Sequence, residues 1–297
     1  MKKVAVLLSA YNGAEYIEEQ IRSICQQSYP ECHLYVRDDG SDKAFVGQLR
    51  ELQKQYAFTL LEGENIGFVA SFMTLLQQVT DADLYAFADQ DDIWLPDKIK
   101  KAVTWFDTCE DNRKPLLYHS AYDVIDDEGK VVDHFYFGEE GYDFRRSITE
   151  NHYSGFSMVV NATMREYMLK GQWNQIGYHD WWAAMIVHAF GMSYSDSEVL
   201  ALHRAHGDNV TTFNMRTRIQ WLHRTLTEES ELRKRAVEFD RCFGEQLSKP
   251  DKKILRLFTD KHYNILHACK KCFYPKRWRP ILSSEIVVRV LMLFGRM

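Results

Sequence analysis

Three carboxylates, Asp89, Asp91 and Asp92, crowd into four consecutive positions directly after the apolar run Leu84 to Ala88. Carboxylates this close repel one another unless donors or a cation compensate. A hard divalent ion that takes oxygen ligands is the natural counter-charge, and an acidic turn solvated by water is the alternative. The preceding run reads as a buried strand, so the cluster sits where a strand leaves its sheet. In open α/β sheets that edge is where ligands bind. Two further acidic sites follow expected strand or loop ends: Asp38 and Asp39 in Arg37-Asp38-Asp39-Gly40-Ser41, and Asp180 in Gly177-Tyr178-His179-Asp180-Trp181-Trp182. Parallel strands would bring such ends to one edge.

The elements that must hold these groups alternate. Val4–Ser9, Leu34–Val36, residues 58–62 and the run to Ala88 read as strands; residues 14–27, 43–56, 69–79 and the segment from Pro96 read as helices. Pro96 suits a first helical turn. This alternation predicts an α/β fold with a mostly parallel central sheet and helices on both faces. From about residue 116 the rhythm changes, with strands at 116–119, 131–137, 154–160 and 194–204 and a helix over 179–190. Beyond about 215 the pattern is helical. There are no internal repeats.

The chain has 297 residues, enough for one large domain with an appendage. Its first strand is too short an apolar run for a signal peptide, and no segment reaches the roughly 20 apolar residues that span a bilayer. Six scattered cysteines lack a disulfide framework, which suits a reducing cytoplasm. Cys269 and Cys272 with His262 and His267 form only a weak pattern for zinc, and reduced thiols on a basic helix are the simpler reading. No Gly-x-Gly-x-x-Gly follows the first strand, which argues against a dinucleotide-binding dehydrogenase. A glycine-rich phosphate loop, expected of a nucleotidyltransferase, is also missing.

Six ordered motifs carry a resemblance: Ser9-Ala10-Tyr11-Asn12-Gly13, Asp38-Asp39-Gly40-Ser41-Asp42, Asn65-Ile66-Gly67, Asp89-Gln90-Asp91-Asp92-Ile93-Trp94-Leu95-Pro96, His179-Asp180-Trp181-Trp182, and His203-Arg204-Ala205-His206-Gly207-Asp208-Asn209-Val210. Together they resemble the inverting family-2 glycosyltransferases of GT-A fold, and more narrowly bacterial rhamnosyltransferases of cell-wall and surface polysaccharides. The resemblance covers about residues 1–215. It implies a GT-A domain there, with a donor half to about 115 and an acceptor half beyond, and a helical, basic C-terminal extension over 216–297. It also implies direct displacement at the anomeric carbon of a nucleoside-diphosphate sugar, dTDP-rhamnose or a UDP-sugar, with Mn2+ or Mg2+ at the diphosphate. By motif position, Asp91 and His206 are the metal ligands. Ser9, Tyr11, Asp39, Asn65, Gly67 and Asp89 line the donor, with Asp39 accepting the N3–H of the base. Asp180 is the general base, its pKa raised by the flanking tryptophans. Trp94, Trp181 and His179 face the acceptor. A catalytically silent nucleotide-sugar-binding protein is the competing class. The absence of a Gln-x-x-Arg-Trp motif and of membrane spans argues against a processive synthase.

Charge is uneven. Residues 249–297 hold seven Lys and five Arg against Asp251, Asp260 and Glu285, an excess of nine positive charges in a chain of net −5. The expected contact is the anionic inner face of the cell membrane, where the family's acceptor hangs from a polyprenyl diphosphate. Docking on the chain's own acidic body or a homodimer contact are the alternatives. The acidic body disfavours nucleic acid.

Overall fold

A computed structural model describes residues 1–136, 138, 142–205 and 230–297. The chain forms two compact units. The first comprises Met1–Glu140, Tyr153–Leu169 and Gly191–His206; the second comprises Gly141–His152, Lys170–Phe190 and Gly207–Met297. The units therefore interleave along the chain, whereas the sequence reading cuts it once, near 215.

The first unit is built on a nine-stranded sheet. Its strands are β1 (Val4–Ala10), β2 (Cys32–Asp39), β3 (Phe58–Gly63), β4 (Leu84–Ala88), β5 (Ile93–Trp94), β6 (Leu116–Ile125), β7 (Val131–Phe135), β8 (Met158–Asn161) and β9 (Met192–Arg204). Their order is β3-β2-β1-β4-β8-β6-β9-β5, with β7 paired to β6. The β3-β2-β1-β4 part is parallel, as expected of strands joined by helical crossovers. Those crossovers are α1 (Ile17–Cys25), α2 (Lys43–Gln55) and α3 (Phe68–Gln78). β1 and β4 are buried along nearly their whole length, which explains their continuous apolar runs.

Beyond β4 the sheet is mixed. β8 lies antiparallel between β4 and β6, β6 and β9 run parallel, and β5 pairs antiparallel with β9. The two-residue β5 has no periodicity to announce it and was not expected from the sequence. α4 (Lys98–Thr108) starts two residues after Pro96. The core gathers Val6, Leu8, Ile21, Val36, Leu49, Ala86, Ile99, Phe106 and Val159.

The second unit is helical. It contains α5 (Phe144–Thr149), α7 (Trp173–Ile176), α8 (His179–Phe190), α9 (Glu231–Phe243), α10 (Lys249–Leu255), α11 (Ile265–Cys272) and α12 (Leu282–Leu293); the intervening α6 (Ala162–Met168) belongs to the first unit. Its interior is aromatic: Trp182 packs edge-on to Phe239 at 5.3 Å and beside Phe243 at 5.9 Å. The expected C-terminal helices are present, and among the described residues no helix is long and apolar enough to cross a membrane.

Candidate active site

The parallel strands of the first unit end together, and their turns are stitched to one another. After β1 the Tyr11 amide donates to Gln90 Oε1 at 2.8 Å, and Gln90 Nε2 donates back to the Tyr11 carbonyl at 3.2 Å. This ties the β1 turn to the carboxylate turn after β4. A Cβ on Gly13 would lie 2.4 Å from Gln90 Cδ, so the approach needs glycine or a shifted Gln90. Asn12 links sideways: its amide donates to Ser41 Oγ at 3.0 Å and its Oδ1 accepts from the Asp42 amide at 3.0 Å. Tyr11 itself is exposed, 49%, and available to a ligand. Ser9 is partly buried, and its hydroxyl donates to Ser71 at 2.6 Å.

Asp39 faces inward. It is 3% exposed, pairs with Arg37, and accepts from the Ile66 and Gly67 amides at 3.0 and 2.9 Å. The carboxylate that the sequence assigns to a base ring is therefore committed here to the Asn65-Ile66-Gly67 turn. Arg37 completes the arrangement by donating to the Glu64 carbonyl at 3.0 Å. Gly67, with φ of +85°, caps α3 in a conformation that favours glycine. Asn65 is exposed beside it. Asp38 caps its own turn, accepting from Gly40 and Ser41 amides.

The acidic cluster has the form expected of a cation site. One oxygen from each of Asp89, Asp91 and Asp92 lies within 4.8 Å of the others. Oxygens sharing one hard ion stand at most about 4–5 Å apart, twice the metal–oxygen distance. Asp89 and Asp91 are half-buried, while Asp92 is buried. Asp92 Oδ2 has no hydrogen-bond partner among the described residues, an expensive state for a carboxylate oxygen. The donor set and this orphaned oxygen fit Mn2+ or Mg2+.

His203 completes this end of the sheet. β5 and β9 pair Ile93 with Leu202 and Trp94 with Ala201, so one step further places Asp92 opposite His203. His203 Nδ1 donates to Asp92 Oδ1 at 2.7 Å, and its ring stacks on Phe156 at 4.8 Å. Burial alone would lower its pKa, but the bond to Asp92 and the nearby Asp89 and Asp91 outweigh burial and raise it to about 9. Burial raises Asp92 as well. The sequence reading assigned the histidine role to His206, which lies outside the described residues. A polar His203 inside the closing strand was the missed signal.

Trp94 is a correction. Expected to face a sugar, it is 2% exposed and packed in the core, with the Lys98 ammonium 4.9 Å from its ring centre. Its strand pairs with β9, and that pairing turns the indole inward. Lys98 is itself buried, and burial pushes its pKa down to about 7.

The other candidates lie in the second unit. Asp180 is in the first turn of α8, partly buried, where negative charge is favoured. Asn151 Nδ2 donates to its Oδ2 at 2.8 Å, which fixes the carboxylate. Trp181 donates through Nε1 to the Ser147 carbonyl at 2.7 Å, and the Arg235 guanidinium covers one ring face at 3.6 Å. One side of the expected sugar platform is thus taken. Burial lowers the Arg235 pKa to about 10, opposed most strongly by the charge of Asp180. His179 is 4% exposed, and burial lowers its pKa, so it is neutral at physiological pH and turned away from solvent.

Residues 5–171 match the model of the family described as glycosyl transferase family 2. The chain belongs to that family. Its fold is accordingly GT-A-like. Among relatives, it is 25% identical to the dTDP-rhamnosyl transferase RfbG of Shigella flexneri, over 78% of this chain and 82% of that one. It is 29% identical to an uncharacterized glycosyltransferase of a Nostoc species, over 44% of this chain and only 40% of the relative. The Staphylococcus aureus TarS 1–349 structure superposes with TM-score 0.58 at 15% identity, covering 99% of this chain and 80% of TarS 1–349. The mannosyltransferase PcManGT of Pyrobaculum calidifontis, solved with GDP-Man and Mn2+, gives 0.54 at 16% identity, covering 99% and 74%.

Proposed function

We propose that this glycosyltransferase is inverting and metal-dependent, and that it moves L-rhamnose from dTDP-rhamnose onto a lipid-linked saccharide at the inner face of the cell membrane. The observation that carries metal dependence is the Asp89, Asp91, Asp92 cluster with its unpartnered buried oxygen. Asp89, Asp91 and the free Oδ2 of Asp92 would hold Mn2+ or Mg2+, which when bound would neutralise charge growing on the departing diphosphate. His203 and Asp92 form the floor that fixes the carboxylate turn. Exposed Tyr11 and Asn65 frame the nucleotide, while Asp39 shapes the Asn65–Gly67 turn from beneath.

Asp180 is the general base in this reading. The acceptor hydroxyl oxygen forms a bond to the anomeric carbon as the carbon–oxygen bond to the diphosphate breaks, and the hydroxyl proton passes to Asp180. Asn151 orients that carboxylate. In this reading the acceptor packs on the Trp181 ring face opposite Arg235. The rhamnosyl assignment is supported by likeness to RfbG. A UDP-hexose donor is the second reading, favoured by the TarS structures bearing UDP and UDP-GlcNAc.

Asp180→Asn tests the central role. It is expected to keep donor binding within about twofold and to lose transfer by about 10²–10⁴-fold, the usual share of a general base. Transfer assays with dTDP-rhamnose and UDP-sugars on saccharide acceptors read both. Parent-like transfer in this variant removes Asp180 from the role.

A further inference from the structure

The second unit contains a cavity of about 440 Å³ lined by Asp143, Arg145, Arg146, Lys276, Arg277, Arg279 and Pro280. Five cations line it against Asp143 and the adjoining Glu150, which pairs with Arg146 at 3.2 Å and Arg279 at 3.5 Å. Like charges gathered this densely are costly without a counter-ion. Arg145 is 6% exposed, and its Nε meets no hydrogen-bond acceptor among the described residues; Arg279 Nε is in the same state. Burial lowers the Arg279 pKa. These guanidinium donors are desolvated and short of acceptors, which is the condition a multi-oxygen anion relieves.

The frame around the cavity is built rather than incidental. Arg145 donates to the Arg277 carbonyl, and Thr149 Oγ1 donates to the Trp278 carbonyl at 3.3 Å. From the other side, Glu285 Oε2 accepts from the Trp278 and Arg279 amides at 2.9 and 2.8 Å. Arg289 pairs with Glu285 and donates to the Cys272 and Lys276 carbonyls. Residues 276–279 are therefore held at both flanks, with the side chains of Lys276, Arg277 and Arg279 at the cavity and Trp278 buried behind them. Directly after Pro280 the chain turns apolar and exposed. Ile281, Leu282, Ile286, Val290 and Phe294 are 65, 57, 56, 48 and 70% exposed, and from Leu282 on they recur every four residues along one face of α12. Phe273, at the end of α11, is 76% exposed.

We propose that this cavity binds the phosphate or diphosphate group of a lipid, with the apolar face of α12 resting against the lipid chain or the membrane surface. Charge selects a multiply charged anion, and the apolar strip beginning at the cavity's edge selects one carrying a hydrocarbon tail. The site deepens the reading of a lipid-linked acceptor and rests on it. It assigns to named residues what net charge in the tail leaves diffuse.

The test titrates the full chain calorimetrically, in EDTA so that the carboxylate cluster holds no metal. The probes are farnesyl diphosphate and inorganic pyrophosphate. Both are expected to bind, the prenylated one more tightly. The exposed pair Lys276→Ala with Arg277→Ala, which leaves the backbone acceptors intact, is expected to weaken both by about tenfold or more. Its melting temperature and its metal-dependent response to dTDP and UDP are expected to match the parent. Equal affinity for the two probes overturns the lipid source and leaves a free phosphate as ligand. Unchanged affinity in the double variant and in Arg146→Gln overturns the site. Nucleotide binding that persists while both diphosphates fail to bind removes this proposal alone; loss of nucleotide binding in the parent removes the donor reading instead.

Discussion

At the scale of residues, two charged groups in the first unit to which the sequence assigns no role, the partly buried His203 and the buried Lys98, set how stability depends on pH. His203 holds Asp92 at 2.7 Å, with a pKa raised to about 9. That raised value stabilises the fold fully below pH 6.5 and is lost as pH climbs through about 9. Removing one member of a buried pair strands the other. His203→Ala is expected to lower apo stability by about 3 kcal/mol at pH 7 and to weaken Mn2+ binding, read by urea melts and metal titration. Parent-like values in both contradict the pairing. Lys98 works with the opposite sign. Its pKa, pushed down to about 7 by burial, makes the folded state resist charging it. The penalty is complete below pH 7 and fades as pH rises toward the ordinary lysine value of 10.5. Lys98→Met, in EDTA, is expected to raise the melting temperature at pH 6 and to leave it near the parent's at pH 10, with an upper bound of about 5 kcal/mol at the lower pH. A gain independent of pH would mean that packing, not charge, sets the effect. The carboxylate turns themselves were legible, because Asp directly after an apolar run is a local signal. The motifs did not show that Asp39 would turn inward to Arg37 or that Trp94 would be covered, because both depend on partners far along the chain.

At the scale of elements, strand-to-turn junctions do the positioning. The first four strand and helix pairs were readable because buried parallel strands are continuous apolar runs and their helices keep a 3.6-residue period. β5 was not readable: two residues carry no period, and only its register with β9 delivers Asp92 to His203. The antiparallel insertion of β8 between β4 and β6 was equally silent, since four buried residues look alike in either direction. The turns are held by close backbone approaches. Gly40 has φ of +78°, and a Cβ there would stand 2.4 Å from the Asn65 amide nitrogen. Gly40→Ala is therefore expected to cost about 1–3 kcal/mol and to displace the Asn65–Gly67 turn. Thermal melts and nucleotide titrations should both register the change, and an unaltered nucleotide affinity would separate this turn from the donor site.

At the scale of the whole molecule, two compact units divide the chemistry that the sequence places in one list. Tyr11, Asn65, the acidic cluster and His203 belong to the first unit, and Asp180, Trp181 and the cationic cavity to the second. The interleaving at 141–152 and 170–190 escaped the sequence reading because composition shifts only near the basic C-terminal helices, while the helical segments that join them carry no distinguishing charge. Family membership follows from residues 5–171, and the donor's identity does not. The measurement that reaches the central claim is a thermal-shift titration with dTDP and with UDP, each with and without Mn2+. A ligand that binds the folded state raises its stability by about 2.7 kcal/mol at a hundred times its dissociation constant. A nucleotide-dependent rise that needs Mn2+, and that Asp91→Ala abolishes, is the predicted result. A well-folded protein that shows no shift with either nucleotide in the presence of Mn2+ would contradict a metal-dependent donor site.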